Sequence, residues 1–134
     1  MSIAERMKEW QKGVWTCGPG SFAVWTDRHY FVVSASPDGD NVYCGRAEVR
    51  YTDEGIETHQ TVRVRQQPGG SLQTFVETSE TPAQPILHRV AEVGEDFVLF
   101  ESCGGDRFRL RADGVEVYLP AQGGEVIWQR LERI

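Results

Sequence analysis

The chain has 134 residues, of which 40% are hydrophobic, 25% charged and 10% aromatic. That balance excludes disordered, collagen-like and long-repeat architectures and leaves enough length to bury a core. Fourteen Lys and Arg against twenty Asp and Glu give a net charge of −6, so no basic field exists to gather phosphates and nucleic acid is not an expected partner.

The first predicted element is a helix over 3–12. Ser2 stands at its cap with Glu5 three residues on, as in a capping box, and Ile3, Met7 and Trp10 recur at helical spacing up to a stop at Gly13. The same segment carries frequent charge and no long apolar run, so a secretory leader is not expected. Nor does any stretch approach the ~18 consecutive apolar residues of a membrane-spanning helix. Cys17, Cys44 and Cys103 are odd in number and widely spaced, which suits a reduced compartment. A cytoplasmic protein is the expectation.

From residue 13 onward the apolar period changes to 2. Strands are predicted at 13–17, 22–26, 29–36, 42–51, 56–65, 71–77, 86–93, 97–103, 107–112, 115–119 and 125–133, cut by turns such as Pro37-Asp38-Gly39-Asp40-Asn41. Short connections throughout predict an all-β, antiparallel up-and-down meander that closes into a barrel of roughly 8–10 strands. The chain reads as a single domain, 1–134, with the helix over 1–12 and the barrel over 13–134.

Turn lengths decide which residues face inward. In the hairpin 42–65, Tyr43, Gly45, Ala47, Val49 and Tyr51 share a face with Ile56, Thr58, Gln60, Val62 and Val64, while Arg46, Glu48, Arg50, Glu57 and His59 face water. Small and polar groups in that wall leave space, and close-packed interiors tolerate few voids. The wall therefore fits around a ligand cavity better than inside a dry sandwich, which stays as the alternative. A three-residue turn Gly94-Glu95-Asp96 points His88 and Val90 inward, with His88 near Ser102. A three-residue loop Gly104-Gly105-Asp106 puts Phe100 and Phe108 inside and completes an outer ladder Arg89–Glu101–Arg109. A two-residue turn Asp113-Gly114 sets Leu110 opposite Val117, Phe108 opposite Leu119 and Arg111 opposite Glu116. The outer face then carries Leu87, Ala91, Val93, Phe97 and Leu99, an apolar group for the helix or a second copy of the chain to cover, unless the helix plugs the barrel end. Leu87, Phe97 and Leu99 are the candidate homodimer interface.

A short helix, then Gly13-Val14-Trp15 opening the first strand, then a meander ending in Trp128-Gln129-Arg130, resembles the calycins: lipocalins, fatty-acid-binding proteins and their bacterial relatives. The resemblance implies a barrel closed at one end by Trp15, with Arg130 of the last strand lying over it. Fatty-acid-binding proteins insert a helical pair after the first strand, where this chain has only Cys17-Gly18-Pro19-Gly20-Ser21. They also carry Arg-x-Tyr where this chain reads Arg130-Leu131-Glu132, so a fatty-acid ligand is not implied. Relatives of this layout include heme-binding nitrobindin-like barrels and phycobiliprotein lyases, and no motif here selects either.

Of the three histidines, His88 faces the interior, His59 an outer face and His29 a turn. The chain has no Gly-x-Ser-x-Gly elbow, no His-Glu-x-x-His and no Cys-x-x-Cys, so no catalytic residue, metal or cofactor is assigned. The expected function is non-catalytic binding or carriage of a small, largely apolar molecule, with Tyr43, Tyr51, Phe100 and Phe108 as wall and His88 or Arg130 as polar anchor. The alternatives are an interaction module or dimeric scaffold with a filled barrel, and a lyase, isomerase or heme-binding barrel working through His88.

Overall fold

The capping signal at Ser2 operates as its spacing predicts. In the computed structural model, which describes residues 1–18, 20–36, 41–120 and 126–133, and only the backbone of 17, 18, 103, 119, 120 and 126–133, Ile3–Gln11 form helix α1. Ser2 Oγ accepts from the Glu5 N–H while Glu5 Oε2 accepts from the Ser2 N–H, each at 3.1 Å, so two otherwise orphaned donors are satisfied reciprocally. Met7 and Gln11, four residues apart on one face, are buried.

Eleven strands follow: β1 (Gly13–Gly18), β2 (Ser21–Trp25), β3 (His29–Ala35), β4 (Val42–Thr52), β5 (Gly55–Gln66), β6 (Leu72–Val76), β7 (Ile86–Val93), β8 (Val98–Glu101), β9 (Arg107–Arg111), β10 (Gly114–Pro120) and β11 (Val126–Arg133). All the pairings are antiparallel and nearly all join chain neighbours; the exceptions are β7, which passes β6 and pairs with β5, and β1, which pairs with β11. Pairing of β1 with β11 and of β4 with β5 brings the two ends of the meander together, so the sheet is strongly curled. Its closure is partial. β5 pairs with β7 over Gly55–Thr58 only, and β6 takes the far half of β5.

Helix α1 plugs one end of this curled sheet. Met7 is fully buried in a core with Trp15, Val49, Ile56, Val98, Phe100 and Leu110. Three tethers hold it: the Ala4 N–H donates to Asp53 Oδ1 at 3.0 Å, Arg6 donates to the Gly94 carbonyl at 2.7 Å, and Trp15 Nε1 donates to the Gln11 carbonyl at 2.7 Å. Asp53 and Gly94 lie in the β4–β5 and β7–β8 turns, so the helix is tied to strand connections at that end and leaves the outer strip of β7 and β8 uncovered. There Phe97 lies beneath the guanidinium groups of Arg109 and Arg111, 5.9 and 5.8 Å from its ring centre.

Four registers differ from expectation. The β9–β10 turn is Ala112-Asp113, with Arg111 opposite Gly114, so Leu110 faces Val115, Phe108 faces Val117 and Glu116 faces Arg109. Asp113-Gly114 suggests a turn built on left-handed backbone, yet Gly114 does not adopt positive φ. Between β8 and β9 the chain makes a wider turn over 102–106, with Gly104 and Gly105 both left-handed, which sets Glu101 opposite Arg107 instead of Arg109. The Arg107–Glu101 ion pair is 3.2 Å long. Both slips are of two residues, so the inward and outward sets survive while partners change.

The third difference changes a face. β4 and β5 keep the expected register from Tyr51–Ile56 to Ala47–Gln60, and then a bulge at Thr61 advances β5 by one. Beyond it Val62 and Val64 pair with Arg46 and Cys44 on the outer face, while Arg63 and Arg65 turn to the side of Gly45 and Tyr43. The fourth difference lies between β7 and β8, where the turn is the four residues Gly94-Glu95-Asp96-Phe97 and a bulge at Ala91 sets Glu92 opposite Leu99 and Val93 opposite the buried Val98, so Val93 leaves the expected outer strip. The turn predicted at residues 37–40 lies outside the described residues.

Candidate functional site

Above the helix, the curled sheet encloses a cavity of about 250 Å³. Its floor is Trp15 and Gln11, and its walls come from β2, β3, β5, β7, β8, β9 and β10. The walls are mostly aromatic because the inward positions of neighbouring strands pair ring against ring. Trp25 and Tyr30, cross-strand partners in β2 and β3, have centroids 4.2 Å apart. Phe100 and Phe108, partners in β8 and β9, stack at 5.3 Å with planes 15° apart.

Between these rings stands His88. Its Nδ1 is hydrogen-bonded to Ser102 Oγ, and its Nε2 lies 3.3 Å from Thr58 Oγ1. Hydroxyls both donate and accept, so either tautomer is satisfied. The ring meets Phe100 and Phe108 edge-on, at 6.5 and 6.3 Å. Burial lowers the His88 pKa below its ordinary value, because the imidazolium would lose water without gaining a carboxylate. The sign of the consequence follows. Above the unfolded value near 6.5, both states hold a neutral ring; as pH falls below it, the unfolded chain binds the proton first and stability drops until the folded value is passed. Urea midpoints should therefore be flat above about pH 7.5 and decline below about pH 6.5, and His88→Gln should flatten part of that decline. An unchanged profile in the variant would mean that His88 is not the titrating group.

The aromatic and histidine positions expected to line a cavity thus divide. His88, Phe100 and Phe108 line it together with Trp15. Tyr51 packs against the core instead, its buried hydroxyl without a hydrogen-bond partner among the described residues, and burial together with the nearby Asp27 pushes its pKa well up. Tyr43 lies toward the other end, where its hydroxyl accepts from Gln60 Nε2 and Arg65 sits 5.7 Å from its ring centre. It borders an open, more polar recess there with Ser21, Ser34 and Gln66. The Arg130 side chain lies outside the described residues; its backbone pairs with Glu116. Leu87, Phe97 and Leu99 are half-buried on or near the outer surface. His59, outward as expected, donates from Nε2 to Glu77 Oε1 at 2.8 Å.

Sequence reasoning placed Thr58 in the cavity wall and missed Gln11, Trp25 and Tyr30 as lining groups. Register arithmetic on the Trp25–Tyr30 hairpin would have found two of them; Gln11 enters only because the helix docks end-on. A further feature also went unseen: Phe22, Phe31, Val33 and Val76 are 40–54% exposed on the outer side of β2, β3 and β6. Comparison with known proteins returns no match, whether to family models, to curated proteins or to solved structures. No helix among the described residues is long and apolar enough to cross a membrane.

Proposed function

We propose that this protein is a non-catalytic binding or carrier protein that holds a small, largely apolar molecule inside a calycin-like barrel. The observation that carries the reading is the aromatic-walled cavity of about 250 Å³, because natural cores seldom leave so much space unfilled. An engineered apolar cavity of about 150 Å³ accepts benzene, so this one suits a molecule of one or two rings. A macrocycle is disfavoured, since the volume lies below the roughly 300–1,000 Å³ of drug-sized pockets. An enzyme is also disfavoured: among the described lining residues, His88 is the one histidine and no carboxylate joins it, burial lowers its pKa, and hydroxyls flank both its nitrogens.

A ligand of that size buries about as much area as an aromatic side chain, on the order of 150–250 Å², worth roughly 4–6 kcal/mol before association entropy is subtracted. Burial alone therefore supports dissociation constants no tighter than about 40 μM, and millimolar values are expected. The test is titration of the purified protein with small apolar probes, followed through the emission of Trp15 and Trp25, with native mass spectrometry for any copurified molecule. One site, altered emission and a raised melting temperature are expected. If no probe binds and no melting temperature moves, the reading falls. The exposed Phe22, Phe31 and Val33 favour an association module as the second reading, which the mass of the same sample in sedimentation addresses.

A further inference from the structure

The bulge at Thr61 puts two arginines where unbroken alternation would have put valines. Arg63 and Arg65, two apart in β5, have backbones about 7 Å from one another along the concave face of the sheet. Together with Gln67, Gln73 and Phe75 they line a recess of about 300 Å³. Each guanidinium lies over a ring, Arg63 over Phe75 at 5.1 Å and Arg65 over Tyr43 at 5.7 Å, and one held in that way keeps the N–H donors along its edge. Neither has an ion pair among the described residues. Arg50, Arg107, Arg109 and Arg111, by contrast, have carboxylate oxygens at 3.1, 3.2, 3.3 and 2.9 Å. The first carboxylate beyond β6, Glu77, is engaged by His59.

Two like charges side by side repel, and this chain has acids to spare, twenty against fourteen bases. An unneutralised pair on one face is therefore an arrangement that an anion completes. No Asp or Glu lines the recess among the described residues, and the side-chain amides of Gln67 and Gln73 add further N–H donors. Two planar forks suit a tetrahedral group with several oxygens and more than one negative charge better than a single carboxylate. We infer that Arg63 and Arg65 form an anion site for a phosphoryl group, free or esterified to a small molecule, separate from the aromatic-walled cavity and independent of what that cavity holds. Such a group carries about −1.5 to −2 charges at neutral pH. The net charge of −6 supplies no long-range attraction, so recognition is by contact and weakens with added salt.

The test is calorimetric titration of the intact protein at low ionic strength with inorganic phosphate, phenyl phosphate and phenyl sulfate. Phenyl sulfate resembles phenyl phosphate in shape and carries one charge. Phenyl phosphate should bind at one site, at least about tenfold more tightly than phenyl sulfate, the ratio for one charge-assisted hydrogen bond. Arg63→Gln and Arg65→Gln should each weaken it by about tenfold or more. Arg46→Gln, which removes an exposed charge from the outer face of β4, should leave it unchanged. Far-ultraviolet circular dichroism verifies folding in all three variants. Tighter binding of phenyl phosphate than of inorganic phosphate assigns the site to phosphate esters, and equal binding assigns it to phosphate itself. Equal binding of sulfate and phosphate esters, binding that survives both substitutions, an equal loss in Arg46→Gln, or no binding of either phosphate up to about 10 mM overturns the assignment.

Discussion

Replacing Gly55 by alanine should destabilise the protein by more than about 3 kcal/mol and disturb the cavity at the same time. Gly55 opens β5 with φ of +153°, a conformation that side chains resist, and it lies opposite Arg89 of β7. A Cβ there would overlap the His88 carbonyl oxygen and sit 3.1 Å from Arg89 Cα. Backbone, not a flexible side chain, is in the way, so β7 must retreat. The β5–β7 seam has only four paired positions, from Gly55 to Thr58, and they hold His88 against Thr58. Loss of stability should therefore come with weaker probe binding. Gly69→Ala is the control: its φ is also positive, at +94°, but no atom lies within 4 Å of a new Cβ, so backbone strain of about 1–2 kcal/mol is the whole expected cost. Urea unfolding of both variants gives the comparison. Equal losses would mean that the strands do not approach so closely at Gly55.

Trp15→Ala should cost about 3–5 kcal/mol, a large share of the 5–15 kcal/mol that stabilises an ordinary domain. The indole is 2% exposed, packs in the core beside Met7, and ties β1 to the end of α1 through the Gln11 carbonyl. Its removal empties a large volume and leaves that carbonyl without its donor. Trp15→Phe should retain most of the packing and lose the hydrogen bond, at about 1–3 kcal/mol. Denaturant midpoints rank the two, and if phenylalanine were as costly as alanine, the hydrogen bond and not the packing would dominate. If both were near zero, the helix would not be held through this ring.

Much of the architecture is local chemistry and so was legible in order along the chain. The reciprocal hydrogen bonds of Ser2 and Glu5 need only four consecutive residues, and α1 begins where that signal places it. Alternation in β8, β9 and the first half of β7, as far as Val90, sorted inward from outward residues without any knowledge of neighbours, which is why Phe100, Phe108 and Leu110 were found inside and His88 beside Ser102. Loop length is less legible, because a turn two residues longer leaves every side chain on its own face. Glu101 could therefore be assigned to Arg109 and still point outward when its partner is Arg107.

The sequence by itself determined the helix, the strands, their antiparallel order and most of their faces, because hydrophobic period, capping and turn chemistry act over a few residues. Only the tertiary structure decided the bulge that turns Val62 and Val64 outward, the passage of β7 across β6 to β5, and the end-on docking of α1 that carries Gln11 to the cavity floor. Each depends on which distant backbone comes alongside. A one-residue bulge inverts the alternation beyond it, and whether it forms is settled by the fit of the whole curled sheet rather than by the residues at the bulge. For the same reason Gln11 is an ordinary helix-end glutamine in the sequence and becomes part of the cavity lining only through the end-on docking of α1.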